Sequence, residues 1–403
     1  MQSIKMLKRK KLAIAHLSTG SVGGAGIAAR NLSLSLNSPN IISHFFSRSL
    51  KNISSDSTDI VLKTFFVDRT LGRLFTFINL RFSSKIFFSL FSKSLFKDLS
   101  FLKNYDVVHI HNWYNLLSLK DIEYLARNVR IVVITLHDQR FMTGGCHYSI
   151  KCNKFEKDCN NCPLLPWILR SKASHNLIDQ KRIANYPNLY FVTPSKWLYD
   201  TAKNSFVLKH ANLHLIGNHL HNSNSNNFKI QNKRKRQTEI RIGVASVHPY
   251  SFVKGGELLT QLETYIETHG IPVKIVYMRD YLKMGFKPQY FWREIDLLLL
   301  PSIVDNSPNV IFEAHANRVP VLGSSTGGIP EALYSNTDKL FDLHEATPEM
   351  LIENIVTLFN NFNNSQISEN ARDAINQNKT NLAKHIDFYY SITRFENSNL
   401  KKS

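Results

Sequence analysis

The clearest structural pattern in this sequence lies in Pro301-Ser-Ile-Val-Asp305-Asn-Ser307-Pro308-Asn309-Val-Ile-Phe-Glu313, followed by Val319-Pro-Val-Leu-Gly-Ser-Ser-Thr326-Gly327-Gly328-Ile-Pro330-Glu331. It predicts a buried strand over 295–301, a polar loop, a helix, a second strand and a glycine-rich turn, which together form one βαβ unit. Ligands of open α/β sheets bind at the carboxyl ends of the strands. The loops of this unit are therefore expected to line a binding site.

Two carboxylates and a helix start lie in these loops. Asp305 belongs to the loop and Glu313 to the helix, with seven residues between them. The backbone amides of Ser307, Asn309 and Val310 open the helix, where unpaired N–H groups and the helix dipole favour a phosphate. A local cap or ion pair on an ordinary helix is the alternative role for Glu313.

This stretch resembles the donor-binding signature of glycosyltransferase family 4, whose members are retaining sugar transferases with two Rossmann-like domains, the GT-B fold. The family has an acidic residue, seven residues and then Glu; here the first acid is Asp305, which has a shorter side chain. The Gly327-Gly328 turn belongs to the same match. The resemblance implies a nucleotide diphosphate sugar as donor, with Glu313 on its ribose. No Asp-x-Asp pair occurs in the chain, which favours metal-independent catalysis.

Composition sets the broad class of the protein. A chain of 403 residues with 43% hydrophobic and 20% charged residues is globular and expects two or three domains. Its net charge of +19 attracts anions. Nucleic acid, anionic lipid and phosphorylated substrates all fit that charge; we expect the last two and no nucleic acid. Without a secretion signal or an apolar run of about 18 residues, a cytoplasmic location is expected.

Strand and helix patterns alternate along the chain, which predicts an α/β protein with parallel, doubly wound sheets. We expect a first Rossmann-like domain over 1–221, which binds the acceptor, a polar linker over 222–237 and a second, nucleotide-sugar domain over 238–380. A C-terminal helix, 381–403, is expected by resemblance to return to the first domain. The donor cleft would lie between the two domains.

A glycine loop follows the first predicted strand, 12–17. Gly24-Ala-Gly26-Ile-Ala-Ala29 fits the dinucleotide fingerprint, but that reading needs an acidic residue about 20 positions later, and 31–55 contains none. The resemblance implies instead that Gly23 and Gly24 approach the donor. A tight turn without a ligand remains the alternative.

Two further side chains complete the candidate catalytic set of His137, Lys254, Asp305 and Glu313. His137 ends a predicted strand, 131–136, and by resemblance contacts a sugar hydroxyl, although a structural role is equally open. Lys254 matches the family's diphosphate-binding lysine, whereas the arginine that precedes it in the family is missing. A solvated surface lysine is the alternative for Lys254.

All four cysteines, Cys146, Cys152, Cys159 and Cys162, lie in one insert, 141–166. Four thiols within 17 residues, two of them as Cys-x2-Cys, predict a structural zinc site ahead of disulfides or free thiols in a cytosolic protein. His147 is a possible substitute for one ligand. The insert also resembles one found in a subset of family 4 enzymes that make bacterial exopolysaccharide, including transferases of the colanic-acid type.

The segment Arg69–Lys97 contains six basic residues, seven phenylalanines and no acid. It predicts a basic helix on an anionic membrane surface; packing of the phenylalanines on the first domain is the alternative. The expected function is therefore retaining transfer of a hexose to a lipid-linked saccharide by an enzyme peripheral to the inner face of the membrane, in bacterial surface polysaccharide synthesis. A nucleotide-sugar epimerase and a catalytically silent saccharide-binding scaffold are the alternatives.

Overall fold

The computed structural model describes residues 11–48, 59–61, 88–92, 94, 96, 98–220, 239–361 and 363–399. The predicted linker, 222–237, and most of the basic segment Arg69–Lys97 lie outside these residues.

The first domain is built on a parallel sheet. Its strands are β1 (Leu12–Ser18), β2 (Ile41–Ser47), β3 (Asp59–Val61), β4 (Val107–Asn112), β5 (Ile131–Thr135), β6 (Leu189–Thr193) and β7 (Asn212–Leu215). They are ordered β3-β2-β1-β4-β5-β6-β7. The helices are α1 (Gly23–Leu36), α2 (Leu119–Asn128), α3 (Arg170–Ala184) and α4 (Lys196–Asn204). The central strands β4 to β6 are almost continuously buried because helices cover both faces of the sheet.

The second domain repeats this plan on a smaller scale. Its strands are β8 (Ile240–Val244), β9 (Val273–Tyr277), β10 (Leu297–Leu300), β11 (Val321–Ser324) and β12 (Lys339–Phe341), and its helices α5 (Gly256–His269), α6 (Met278–Lys283), α7 (Pro288–Glu294), α8 (Asn309–Ala316) and α9 (Pro348–Asn360). The parallel strands are ordered β12-β11-β10-β8-β9. The predicted fold class, two Rossmann-like α/β domains, is thereby confirmed.

The last helix, α10 (Asn364–Asn399), contacts both domains. Near its start, the Asn370 side chain donates to Asn336 Oδ1 at 3.0 Å in the second domain. Near its end, Tyr389 is fully buried in the core of the first domain together with Ile14 and Val133. A single helix of 36 residues therefore joins the two domains, and it begins before the C-terminal helix that was expected over 381–403.

Candidate active site

A cleft of about 2330 Å³ lies between the two domains, at the carboxyl ends of their strands. This is the edge at which open parallel sheets bind ligands, because the loops that follow the strands meet there. The sequence-predicted residues that line the cleft are Gly23, Gly24, His137, Lys254, Asp305, Ser307, Asn309, Val310 and Glu313.

Gly327 and Gly328 are not among the residues that line this cleft. They pack behind the loop that carries Asp305, where the Gly328 N–H donates to the Asp305 carbonyl at 2.8 Å. Gly327 has a φ of +60°, and a Cβ on it would lie 2.1 Å from the Asp305 carbonyl oxygen. The two glycines therefore shape the Asp305 loop through close backbone packing.

Lys254 and Asp305 form an ion pair, with Nζ and Oδ2 2.6 Å apart. The pair forms because β8 and β10 are neighbours in the sheet, which brings the loops after these strands together. Gly255 permits the close approach, since a Cβ on it would lie 1.8 Å from the Pro301 carbonyl oxygen. The Lys254 side chain remains 34% exposed in the cleft, so its ammonium group is accessible to a phosphate.

Glu313 lies on α8, in the wall of the cleft. Desolvation raises the pKa of its carboxyl group from 4.5 to about 7. Within the described part of the chain the carboxylate has no cationic partner, and the hydrogen bonds at this residue go to its main-chain carbonyl, from Asn317. Glu313 therefore does not act as a local cap.

The first turn of α8 also faces the cleft. Asn309 and Val310 open the helix after Pro308, and no described residue accepts a hydrogen bond from their N–H groups. Such groups at a helix start bind anions well. Ser307 precedes the helix rather than belonging to it.

His137 follows β5 and lines the opposite wall of the cleft. Its Nε2 lies 3.1 Å from Nδ1 of His111, and Nε2 of His111 lies 3.0 Å from Nδ1 of His16. Desolvation lowers the pKa of His137 to about 4 and that of His16 to about 3. These imidazoles are therefore neutral near pH 7.

Polar contacts hold the two domains together around the cleft. The Asn306 amide donates to the His137 carbonyl at 2.7 Å, and the Asn309 amide to the Gly24 carbonyl at 3.3 Å. The Glu331 carboxylate accepts from the N–H groups of Lys196 at 2.8 Å and Trp197 at 3.0 Å, at the first turn of α4. An acid of one domain thus stabilises a helix N-terminus of the other.

The four cysteines do not line the cleft, although Phe141, His147 and Tyr148 of the same insert do. Electrostatic interactions link the thiols to one another, and burial raises the pKa of Cys146 and Cys159. No three of the thiols in this fully described insert bring their sulfurs within 4.8 Å of one another, so a tetrahedral site is not preformed. His147 is engaged elsewhere, with Nδ1 2.6 Å from Asp138 Oδ2 and Nε2 2.8 Å from Ser89 Oγ.

Several residues of the cleft were not predicted from the sequence. They are His111, Trp113, Arg140 and Arg279. The guanidinium of Arg279 lies 4.9 Å from the centre of the Tyr250 ring, and that of Arg140 lies 4.8 Å from the Trp113 ring. His111 and Trp113 lie at the end of β4, so their position after a buried strand was an available signal.

Comparison with known families identifies part of the chain. Residues 250–361 match the family model described as Glycosyl transferases group 1. This stretch lies within the second domain and contains Lys254, Asp305 and Glu313. A comparison with curated protein sequences gives no match.

Solved structures share the fold over nearly the whole chain. Sucrose-phosphate synthase from Thermosynechococcus elongatus superposes with a TM-score of 0.61 at 13% identity, covering 95% of this chain and 99% of that one. The catalytic domain of starch synthase IV from Arabidopsis thaliana, bound to ADP and acarbose, superposes with a TM-score of 0.57 at 10% identity, covering 96% of this chain and 100% of that one. Anabaena HepE in complex with UDP superposes with a TM-score of 0.55 at 15% identity, covering 94% of this chain and 100% of that one. The architecture is the GT-B fold.

Proposed function

We propose that this chain is a retaining glycosyltransferase that moves a hexose from a nucleotide diphosphate sugar to a lipid-linked saccharide. The observation that carries the proposal is the meeting, in one interdomain cleft, of an accessible lysine, an open helix N-terminus and a carboxylate without a cationic partner. The first two are suited to a diphosphate. The third is suited to the hydroxyl groups of a ribose or sugar.

The donor is assigned by class. Structures of the same fold hold UDP in HepE and ADP in starch synthase IV, and both ligands are nucleoside diphosphates. In this chain we assign the diphosphate to Lys254 and to the amides of Asn309 and Val310, and the ribose to Glu313. Gly23 and Gly24 would approach the same ligand from the first domain.

The ion pair of Lys254 and Asp305 positions a cationic group that can stabilise the negative charge of the departing diphosphate. As the bond to the sugar breaks, negative charge develops on the departing phosphate, and the ammonium group of Lys254 and the α8 amides neutralise it. Asp305 holds Lys254 in place through their ion pair. The departing phosphate, rather than a protein carboxylate, assists the incoming hydroxyl group.

A lipid-linked acceptor would place the protein at a membrane. The net charge of +19 and the composition of the segment Arg69–Lys97 support peripheral binding to anionic lipid. In the described ranges, no helix combines the length and the apolar character needed to cross a membrane. Sedimentation with vesicles is the test: binding to anionic vesicles should weaken as salt rises, and equal binding to neutral vesicles would contradict peripheral electrostatic attachment.

A structural zinc ion in the cysteine insert is part of the proposal. The Gly144 N–H donates to the sulfur of Cys159, and the N–H groups of Leu164 and Leu165 donate to that of Cys162. Burial raises the pKa of both thiols, that of Cys159 to about 11, and these backbone hydrogen bonds act against it by favouring the thiolate form that binds zinc. The four thiols would have to draw together on binding, which would order the insert beside the cleft.

Turnover with a panel of nucleotide sugars tests the proposed function. A transferase releases nucleoside diphosphate only when a saccharide acceptor is present. A nucleotide-sugar epimerase, the second candidate, interconverts donors without an acceptor, and a saccharide-binding scaffold releases nothing. Acceptor-independent interconversion, or no turnover with any donor, would contradict the proposal.

A further inference from the structure

Three histidines that end neighbouring strands form a chain from the core of the first domain to the cleft. His16 lies on β1, His111 lies on β4 and His137 lies two residues after β5, and β1, β4 and β5 are neighbours in the sheet. Their contacts are His16 Nδ1 to His111 Nε2 at 3.0 Å and His111 Nδ1 to His137 Nε2 at 3.1 Å. His16 is fully buried, whereas His111, which is 4% exposed, and His137 both line the cleft.

The contacts restrict where the protons lie. A neutral imidazole carries one N–H, and each hydrogen bond between two ring nitrogens needs one donor and one acceptor. If His111 carries its proton on Nδ1, it donates to His137 Nε2 and must accept from His16 Nδ1–H. If it carries the proton on Nε2, both neighbours must carry theirs on Nε2. All three rings therefore have the proton on the same-named nitrogen.

We propose that His111, itself held by His16, is a positioning residue that fixes the ring plane and the tautomer of His137, so that Nδ1 of His137 presents one defined hydrogen-bonding character to a sugar hydroxyl in the cleft. Within the described residues no protein group bonds to that Nδ1, which leaves it for a ligand. The sugar ligand of His137 in this inference rests on the proposed function, whereas the tautomers of the three histidines do not depend on it.

The three hydrogen-bonded histidines fix the orientation of one another's rings and do not relay a proton. A proton passed inward would leave a cation on His16, whose pKa of about 3 reflects the cost of a charge in that interior. His109, the buried neighbour of these rings, stands outside the chain because its nitrogens contact Tyr389 Oη at 2.6 Å and Thr135 Oγ1 at 2.7 Å.

The alternative use of these rings is a metal site. Ring nitrogens of His16, His109 and His111 all lie within 4.8 Å of one another, a spacing that a transition metal can use. Ligation would have to break hydrogen bonds, because both nitrogens of His109 and of His111 are engaged. The hydrogen-bonded chain satisfies more of these buried groups.

Long-range ¹H–¹⁵N spectra of protein labelled in histidine test the tautomers without any substrate. In the wild type, His16, His111 and His137 should each show one protonated nitrogen, with the same name in all three rings. His111→Phe should give averaged nitrogen shifts for His137, whereas His111→Asn, whose amide can replace Nδ1, should keep them distinct. The inference would be overturned if the three rings of the wild type carried their protons on differently named nitrogens. It would also be overturned if the nitrogen shifts of His137 did not change in His111→Phe.

Kinetics and binding test the consequence in the cleft. Loss of one oriented hydrogen bond predicts that His111→Phe lowers kcat/KM for the sugar donor about tenfold, with recovery in His111→Asn. The affinity for free nucleoside diphosphate, which lacks the sugar, should not change. His109→Asn is the matched control for a buried histidine outside the chain. An inactive wild type would contradict the proposed function alone, whereas unchanged kcat/KM in an active His111→Phe enzyme would refute the positioning role.

Discussion

Replacing Glu313 with glutamine is expected to stabilise the protein at alkaline pH while weakening donor binding. Burial raises the pKa of this carboxyl group from 4.5 to about 7. Between these two values the folded protein holds the proton more tightly than the unfolded chain does. The free energy of unfolding therefore falls as the pH rises from about 4.5 through about 7.

The size of the effect follows from the two pKa values. Their difference, 7 − 4.5, or about 2.5, corresponds to about 3 kcal/mol once the carboxyl group is ionised. Glutamine keeps the shape of the side chain without the charge. Glu313→Gln should therefore raise the free energy of unfolding by about 3 kcal/mol at pH 8 and by less than about 1 kcal/mol at pH 5.

Urea unfolding at pH 5 and pH 8 measures this difference, with Glu353→Gln, a change of an exposed residue on α9, as the control. Calorimetry with nucleoside diphosphate should show a proton released on binding to the wild type near pH 7, because ligand hydroxyl groups favour the ionised carboxylate. An equal change in the free energy of unfolding at both pH values would refute the reasoning, since it would mean that the effect of the substitution does not come from ionisation of Glu313.

Three further changes test other parts of the account. Lys254→Gln should weaken nucleoside diphosphate binding at least 10-fold, and adding Asp305→Asn should relieve the unpaired carboxylate without restoring binding; unchanged affinity in titration calorimetry would contradict the assignment. Glu331→Gln should weaken the contact at the α4 N-terminus and give a larger radius of gyration in small-angle X-ray scattering, and an unchanged radius would show that the contact does not hold the domains closed. Wild-type protein should contain one zinc by elemental analysis and Cys159→Ser less; metal-free wild-type protein with four titratable thiols and full activity would eliminate the zinc site.

Local patterns predicted the strands and helices around the cleft. The apolar run before Pro301 and the polar Asp305 loop predicted β10 and α8. Short edge strands were missed, since β3 and β12 contain three residues each and carry little periodic signal.

The contacts that organise the site depend on strand order, which sequence periodicity does not contain. Lys254 reaches Asp305 because β8 lies next to β10, although β9 lies between them in the chain. The histidine chain likewise needs β1 beside β4 and β4 beside β5. The burial of Tyr389 in the first domain depends on the path of α10, because an amphipathic pattern shows that a face is covered but not by which domain.

In the proposed function, Glu313 and Lys254 hold a nucleotide sugar for transfer. The most direct measurement is acceptor-dependent release of nucleoside diphosphate by the wild type, Glu313→Ala and Lys254→Ala, each verified as folded by its circular dichroism spectrum and melting temperature. The account predicts release by the wild type and a loss of at least 10²-fold in each variant, because each lacks a charged contact to the donor. Turnover close to that of the wild type in either folded variant would contradict it.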